Sequence, residues 1–435
     1  MKKRILFRLI LSLWVMSVFG CGFGGFSDSS NSGTSSGDSD SANDTKVSGV
    51  VSKGLFKNGT VRFYAVNFDG SETLLKTTSI GAFGNYSARL SSQKTITSGS
   101  YNGVVLIKAT GSYIDEATGA ELTIDDSHPL RAIIANPSGT LNASVTALTE
   151  LATRKALAVQ RTGNQLAATD VTNANALVSE MFKVDIIATK PVEPDLSDYG
   201  FGRASTTQAQ KDYTLALAAI SQMARNNAGT LASTLNVLAD DIADGAITAE
   251  NATTLQTALI TFLASDRNVT GVKSINSTNL ANAGGSLKIV RLGTAEKLGA
   301  GNIIGGVTVT LKLPPGVTLR ADLSAPEIAE KEPLSGVVKG SGVIAAGVYV
   351  KASYIASSGA LPGMVTLSLA GAHGFAVGEF ATIMCDVPAG MSLNSTNFSI
   401  YKNLNDPNDP KNFKAVDGNG AAFPADIITV EVLPD

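Results

Sequence analysis

Cysteine, histidine and tryptophan are almost missing from this 435-residue chain, which has two Cys, two His and one Trp. So few thiols and imidazoles leave little for cysteine- or histidine-dependent catalysis, or for a zinc centre, whose ligands come largely from those residue types. The two histidines, His128 and His373, fall in different segments, with no cysteine or glutamate spacing around them that matches a metal site. Charge is also sparse, at 16% of residues and a net −3. Four bases and no acid lie in the first twenty residues (Lys2, Lys3, Arg4, Arg8). A chain beginning at Cys21 therefore has 30 bases against 37 acids, a poor electrostatic start for nucleic-acid binding. After residue 19 there is no apolar run long enough for a polytopic membrane protein, and a 44% hydrophobic content excludes a disordered chain. At roughly 100–200 residues per domain, the length allows two to four domains.

The most specific feature present is the amino terminus. Met1-Lys2-Lys3-Arg4, an apolar stretch from Leu9 to Phe19 and then Gly20-Cys21 have the layout of a secretory signal, too short to span a bilayer. Val18-Phe19-Gly20-Cys21 resembles the bacterial lipobox, which implies that the Cys21 thiol receives a diacylglyceryl group and becomes the first residue. Residues 22–46 are rich in Ser, Gly, Asp and Asn and cannot bury enough surface to offset ordering entropy. They are expected to form a flexible tether with a reach of about 25–30 Å. Gly22 stands where an aspartate would resemble the inner-membrane retention signal of Gram-negative lipoproteins, so the resemblance implies an outer-membrane address. With Cys21 lipidated, Cys385 is the only remaining thiol and no intrachain disulfide can form. Ala381, Ile383, Cys385 and Val387 fall on one face of a strand, so Cys385 is expected to be a small core residue.

Three periodicities follow, predicting a multidomain chain in the order all-β sandwich (47–136), all-α helical bundle (137–283) and all-β sandwich (284–435). In the first, Thr60–Val66 and Gly103–Lys108 read as strands, and Asn58-Gly59 as a tight hairpin turn. Val47-Ser48-Gly49-Val50-Val51, Asn58-Gly59-Thr60-Val61 and Gly84-Asn85-Tyr86-Ser87 resemble the carboxypeptidase-regulatory or transthyretin-like β-sandwich, which implies a spacer or binding platform and not a catalyst. The second segment carries five amphipathic stripes. They comprise Val145/Leu148/Leu151/Ala152, Ala174/Leu177/Val178/Met181, Tyr213/Ala216/Leu217/Ile220/Met223, Leu231/Leu235/Leu238/Ile242 and Leu255/Leu259/Phe262/Leu263. Ser205-Thr206-Thr207-Gln208 reads as a capping box and Gly245 as a helix stop. In the third segment Val307, Val309, Leu311 and Leu313 alternate with polar residues, as do Val348–Tyr354 and Val365–Leu369, predicting eight or nine strands in two sheets. Leu313-Pro314-Pro315-Gly316-Val317, Gly374–Phe380 and Val416-Asp417-Gly418-Asn419-Gly420 resemble a cohesin-like, carbohydrate-binding-module-related domain. That resemblance implies an interaction domain whose partner is another protein.

Candidate chemistry is thin. Gly33-Thr34-Ser35-Ser36-Gly37 matches the serine-hydrolase pattern but lies in the tether, where no strained turn can present the hydroxyl. Asp240–Ile247 mimics the middle of an EF-hand, yet Ile242 and Asn251 stand where an oxygen ligand and the bidentate glutamate belong, so the residues read as a helix end. Asp406, Asn408 and Asp409, in Asn405–Pro410, are the weak calcium candidate, against an exposed insertion between strands. Trp14 lies inside the signal, so an aromatic platform for sugars falls to tyrosine and phenylalanine. Tyr349 and Tyr354, on opposite faces of one strand, send one ring outward. The expectation is an exported, lipid-anchored binding or scaffold protein, not an enzyme, with no cofactor. Its membrane contact is the anchor, and its carboxy-terminal sandwich engages a protein. A carbohydrate-binding envelope protein is the alternative, and a hydrolase with an unrecognised carboxylate site the lesser one.

Overall fold

A computed structural model describes residues 45–434 apart from 91–100, 162, 198–199, 203–204, 295–297, 300, 324–328, 345 and 360. The signal, Cys21, the tether and Gly33 to Gly37 lie outside the described residues. Among the described residues nine strands come first: β1 (Thr45–Ser52), β2 (Leu55–Asn67), β3 (Glu72–Ser79), β4 (Asn85–Leu90), β5 (Tyr101–Ile114), β6 (Glu121–Ile124), β7 (Leu130–Ala135), β8 (Thr140–Asn142) and β9 (Val145–Thr146). β1 pairs antiparallel with β4 and parallel with β8 and β9. The second sheet runs β3-β2-β5-β6, with β7 also on β5. Asn58-Gly59 does not turn the chain. It lies inside β2 at a register shift, and a Cβ at Gly59 would sit 2.1 Å from the Thr110 carbonyl oxygen of β5. The glycine is there for close strand approach, and the bulge takes up the extra residue.

Five helices follow among the described residues: α1 (Ala147–Arg161), α2 (Ala168–Met181), α3 (Gln208–Asn226), α4 (Leu231–Ala243) and α5 (Ala249–Leu263). The cap of α3 falls two residues later than expected. Thr207 accepts from the Gln210 N–H at 3.3 Å, while the Gln210 side chain accepts from the Thr207 N–H at 3.1 Å. Gly245 sits just past α4 with φ +91°, the left-handed position that only glycine takes without strain. No helix among the described residues is long and apolar enough to cross a membrane.

The strands and helices do not keep separate cores. On one face of the second sheet, Phe63, Val105 and Ile107 meet Val47, Tyr86 and Ala88 of the first. The same core continues through Val145 and Leu148 to Tyr213, Leu238 and Phe262 of the helices. On the other face, Val66, Val104, Leu106 and Ile133 pack with Ala156, Val171 and Ala174 of α1 and α2. β5 is therefore covered on both sides, which is why Val104, Val105, Leu106 and Ile107 run consecutively apolar, each no more than 1% exposed.

The last nine strands among the described residues are β10 (Ser286–Gly293), β11 (Ile303–Lys312), β12 (Val338–Gly340), β13 (Tyr349–Ile355), β14 (Met364–Ala376), β15 (Glu379–Val387), β16 (Ser399–Ile400), β17 (Lys414–Asp417) and β18 (Thr429–Val432). They form a four-stranded sheet, β12-β15-β10-β18, and a five-stranded sheet, β13-β14-β11-β16 with β17 also on β11. Val290, Val309, Leu367, Ile383 and Cys385 are fully buried in the core that the two sheets share. Cys385 is a free thiol there, as its strand face implied, and burial pushes that thiol far up from its ordinary range.

Candidate functional site

The buried charges gather where segments meet. Lys53 follows β1, Asp115 and Glu116 follow β5, and Ser221 lies on α3. All four are less than 10% exposed. The Lys53 ammonium donates to Glu116 Oε2 at 2.9 Å and to Ser221 Oγ, and lies 3.7 Å from Asp115 Oδ2. Ser221 Oγ in turn donates to Asp115 Oδ2 at 2.9 Å. Burial pushes the Asp115 carboxyl up, but Lys53, the Thr118 N–H and the Ser221 hydroxyl outweigh it and hold the group below its ordinary range. A serine beside a lysine suits nucleophilic catalysis only when the amine can take the hydroxyl proton. Here the amine donates to the hydroxyl and the hydroxyl proton points to a carboxylate, so the group acts as an ionic tie between sheet and helix.

A second tie joins α2 to the carboxy-terminal strands. The fully buried Lys183 ammonium meets Glu180 Oε1 at 2.8 Å and Asp386 Oδ1 at 3.0 Å. Arg320 grips Asp386 with two bonds of 3.0 Å and also reaches Glu180 at 2.5 Å. Nearby, Asp212 of α3 accepts from Thr278 Oγ1 at 2.6 Å, Gln208 at 2.8 Å and Asn279 at 3.0 Å. Burial still leaves its carboxyl raised. Glu193 is different. It is 3% exposed, and neither carboxyl oxygen has a hydrogen-bond partner among the described residues. Burial, then the charges of Asp195 and Glu116, push it up to about 8.

One group of exposed residues lies on the outward face of the β13-β14-β11-β16 sheet. Strand pairing sets Lys351, Ser368, Thr308 and Lys414 side by side in one row across β13, β14, β11 and β17. Three strand spacings make this row about 14 Å long. Thr308 and Ser368 share a hydrogen bond at 3.0 Å, and in the next row Thr310 and Thr366 share one at 2.9 Å. On the other side of the lysine row, Tyr349, Ala370, Gly306 and Val416 stand opposite one another. Tyr349 is 63% exposed, whereas Tyr354 is buried in the core, as their opposite faces required. Lys312, further along β11, lies 5.4 Å from the centroid of the Tyr401 ring. The paired positions of this face carry three lysines and no carboxylate.

The sequence candidates are not brought together. Asp406 and Asn408 are exposed in the loop between β16 and β17, and their groups serve that loop. Asp406 Oδ1 accepts from the Asn408 N–H at 3.0 Å. Asp409 accepts from Asn403 at 2.9 Å, Tyr401 at 3.0 Å and the Lys411 N–H at 2.9 Å. The Asn403 and Lys411 bonds hold the Asp409 carboxyl below its ordinary range. Asp241, in the EF-hand mimic, bridges α4 to the start of α5 by accepting from the Thr248 N–H at 3.0 Å and from Asn251 at 2.7 Å. His128 and His373 are both exposed, one before β7 and the other in β14. Among the described residues no group of three or more His, Cys, Asp or Glu is placed to hold a metal. The two ionic ties escaped the sequence reading because their members lie up to 206 positions apart along the chain. Comparison of the chain with family models, with curated proteins and with solved structures finds no match.

Proposed function

We propose that this chain is a lipid-anchored, non-catalytic cell-envelope binding protein, held in the outer membrane through Cys21, and that its carboxy-terminal pair of sheets engages a protein partner. The finer reading, a carboxypeptidase-regulatory-like sandwich, a helical domain and a cohesin-like sandwich in that order, belongs to the same proposal. The observation that carries it is the contrast between buried and exposed groups. The buried ions of the two ties are matched to one another, while Tyr349, Lys351 and Lys414 stand exposed on a sheet face bearing no acid. An open sheet face with an exposed ring and charge of one sign favours recognition over chemistry. A carbohydrate partner is the second reading, favoured by the hydroxyl row of Thr308 and Ser368 beside the Tyr349 ring.

Cys21→Ser should move the protein out of the membrane fraction, and an unchanged distribution would contradict the anchor. Lys351→Glu with Lys414→Glu should remove one specific band from the proteins cross-linked to the chain in intact envelopes. A glycan array run on the same pair of proteins separates the sugar reading. Turnover of a substrate, abolished by changing one acidic side chain, would overturn the non-catalytic reading.

A further inference from the structure

A cavity of about 460 Å³ opens between β5–β7 and helices α1, α3 and α4, away from the carboxy-terminal sheets. Its wall is mainly apolar, with Tyr113, Ile124, Leu130 and Leu235 inside and Leu122, 43% exposed, among the lining residues. Apolar clefts of this size with a few polar groups are the usual form of small-molecule sites.

The polar groups around it are unequal in what they have left to offer. The buried carboxylates are taken. Asp115 Oδ1 receives the Ala117 N–H at 3.1 Å, the Thr118 N–H at 2.9 Å and the Thr118 hydroxyl at 2.9 Å, and Oδ2 receives Ser221. Glu150, 2% exposed, is gripped by Arg131 at 2.9 and 2.7 Å and by Arg154 at 2.6 Å. The donors are in surplus. Each guanidinium has five N–H groups. Arg154 gives one to Glu150 and one to Asn236 at 2.6 Å, and Arg225 gives one to the Ala117 carbonyl at 2.9 Å. A ligand head at the buried end would find both carboxylates there engaged, the exposed Asp125 lying at the rim, whereas an anion meets two arginines with N–H groups to spare.

We propose that this cavity binds a small organic carboxylate with an apolar body, its head between Arg225 and Arg154 and its body against Tyr113, Ile124 and Leu235. The occupant covers Leu122 and leaves the Lys53–Ser221–Asp115 tie beneath it unchanged. The inference does not depend on the envelope reading, because the cavity and the lysine-bearing sheet face share no residue.

Octanoate and 1-octanol, titrated by calorimetry into the full chain purified without detergent, test the proposal. Octanoate should bind saturably, one per chain, and at least tenfold more tightly than the alcohol. Arg225→Gln, at an exposed helix end, should weaken octanoate about tenfold, the share of one charged hydrogen bond, and leave octanol unchanged. Ala232→Phe, which fills the cavity from the first turn of α4, should abolish both, with the melting curve showing that the variant is folded. The proposal falls if octanoate shows no saturable binding in the millimolar range, if octanol binds as tightly, or if the folded Ala232→Phe variant binds octanoate undiminished.

Discussion

Glu193 offers the sharpest physical test in the molecule. Its carboxyl is almost fully enclosed, lacks a hydrogen-bond partner among the described residues, and faces the charges of Asp195 and Glu116. Those conditions move it from an ordinary 4.5 up to about 8. Between these two values the folded chain holds a proton that the unfolded chain has released, so raising the pH through that window favours unfolding. At about 1.4 kcal/mol per unit, the penalty grows by about 3 kcal/mol from pH 5 to pH 7.5. Glu193→Gln keeps the shape and cannot ionise. Whatever the buried amide itself costs is the same at both pH values, so the stability difference between variant and parent should rise by that amount across the window. Urea unfolding followed by far-ultraviolet circular dichroism at several pH values measures it. Parallel stability profiles for the two proteins would refute the reasoning.

Three further outcomes are expected. Lys183→Met leaves Asp386, 1% exposed, with Arg320 as its only remaining counter-ion in the tie and should cost about 3 kcal/mol in urea unfolding, against nearly nothing for a surface ion pair. Ser221→Ala strips Asp115 of a donor and Lys53 of an acceptor and should cost about 1–3 kcal/mol, whereas Lys53→Met leaves two buried carboxyls without their cation and should cost about 3–5 kcal/mol. Millimolar calcium should leave the melting temperature unchanged, because the acids of the Asn403–Asn412 loop are engaged with the loop's own donors. A rise in that temperature would restore the calcium site at Asp406, Asn408 and Asp409.

What could be read from the sequence was governed by range. The helical stripes were legible because a spacing of three or four residues places Leu231, Leu235, Leu238 and Ile242 on one side of α4 without reference to any other segment. Alternation in β13 likewise separated Tyr349 from Tyr354, and alternation in β15 placed Cys385 inside. Asn58-Gly59 failed as a turn because the same dipeptide suits a bulge wherever a neighbouring strand comes close, and only β5 decides between them. The shared core is a subtler case. Val104-Val105-Leu106-Ile107 breaks the alternation that a sheet open to water on one side would show, and that departure was the available sign that helices cover the outer face. It carries a consequence for the candidate cavity. Because β5 leads into the Asp115 loop and is covered on both faces, the cavity floor is held by a buried strand. Its mouth, at Leu122 and Arg225, is built from exposed side chains. A fixed floor gives a ligand a preformed apolar surface, with Arg154 held in place by Glu150 and Asn236 and the exposed Arg225 left to adjust to its head.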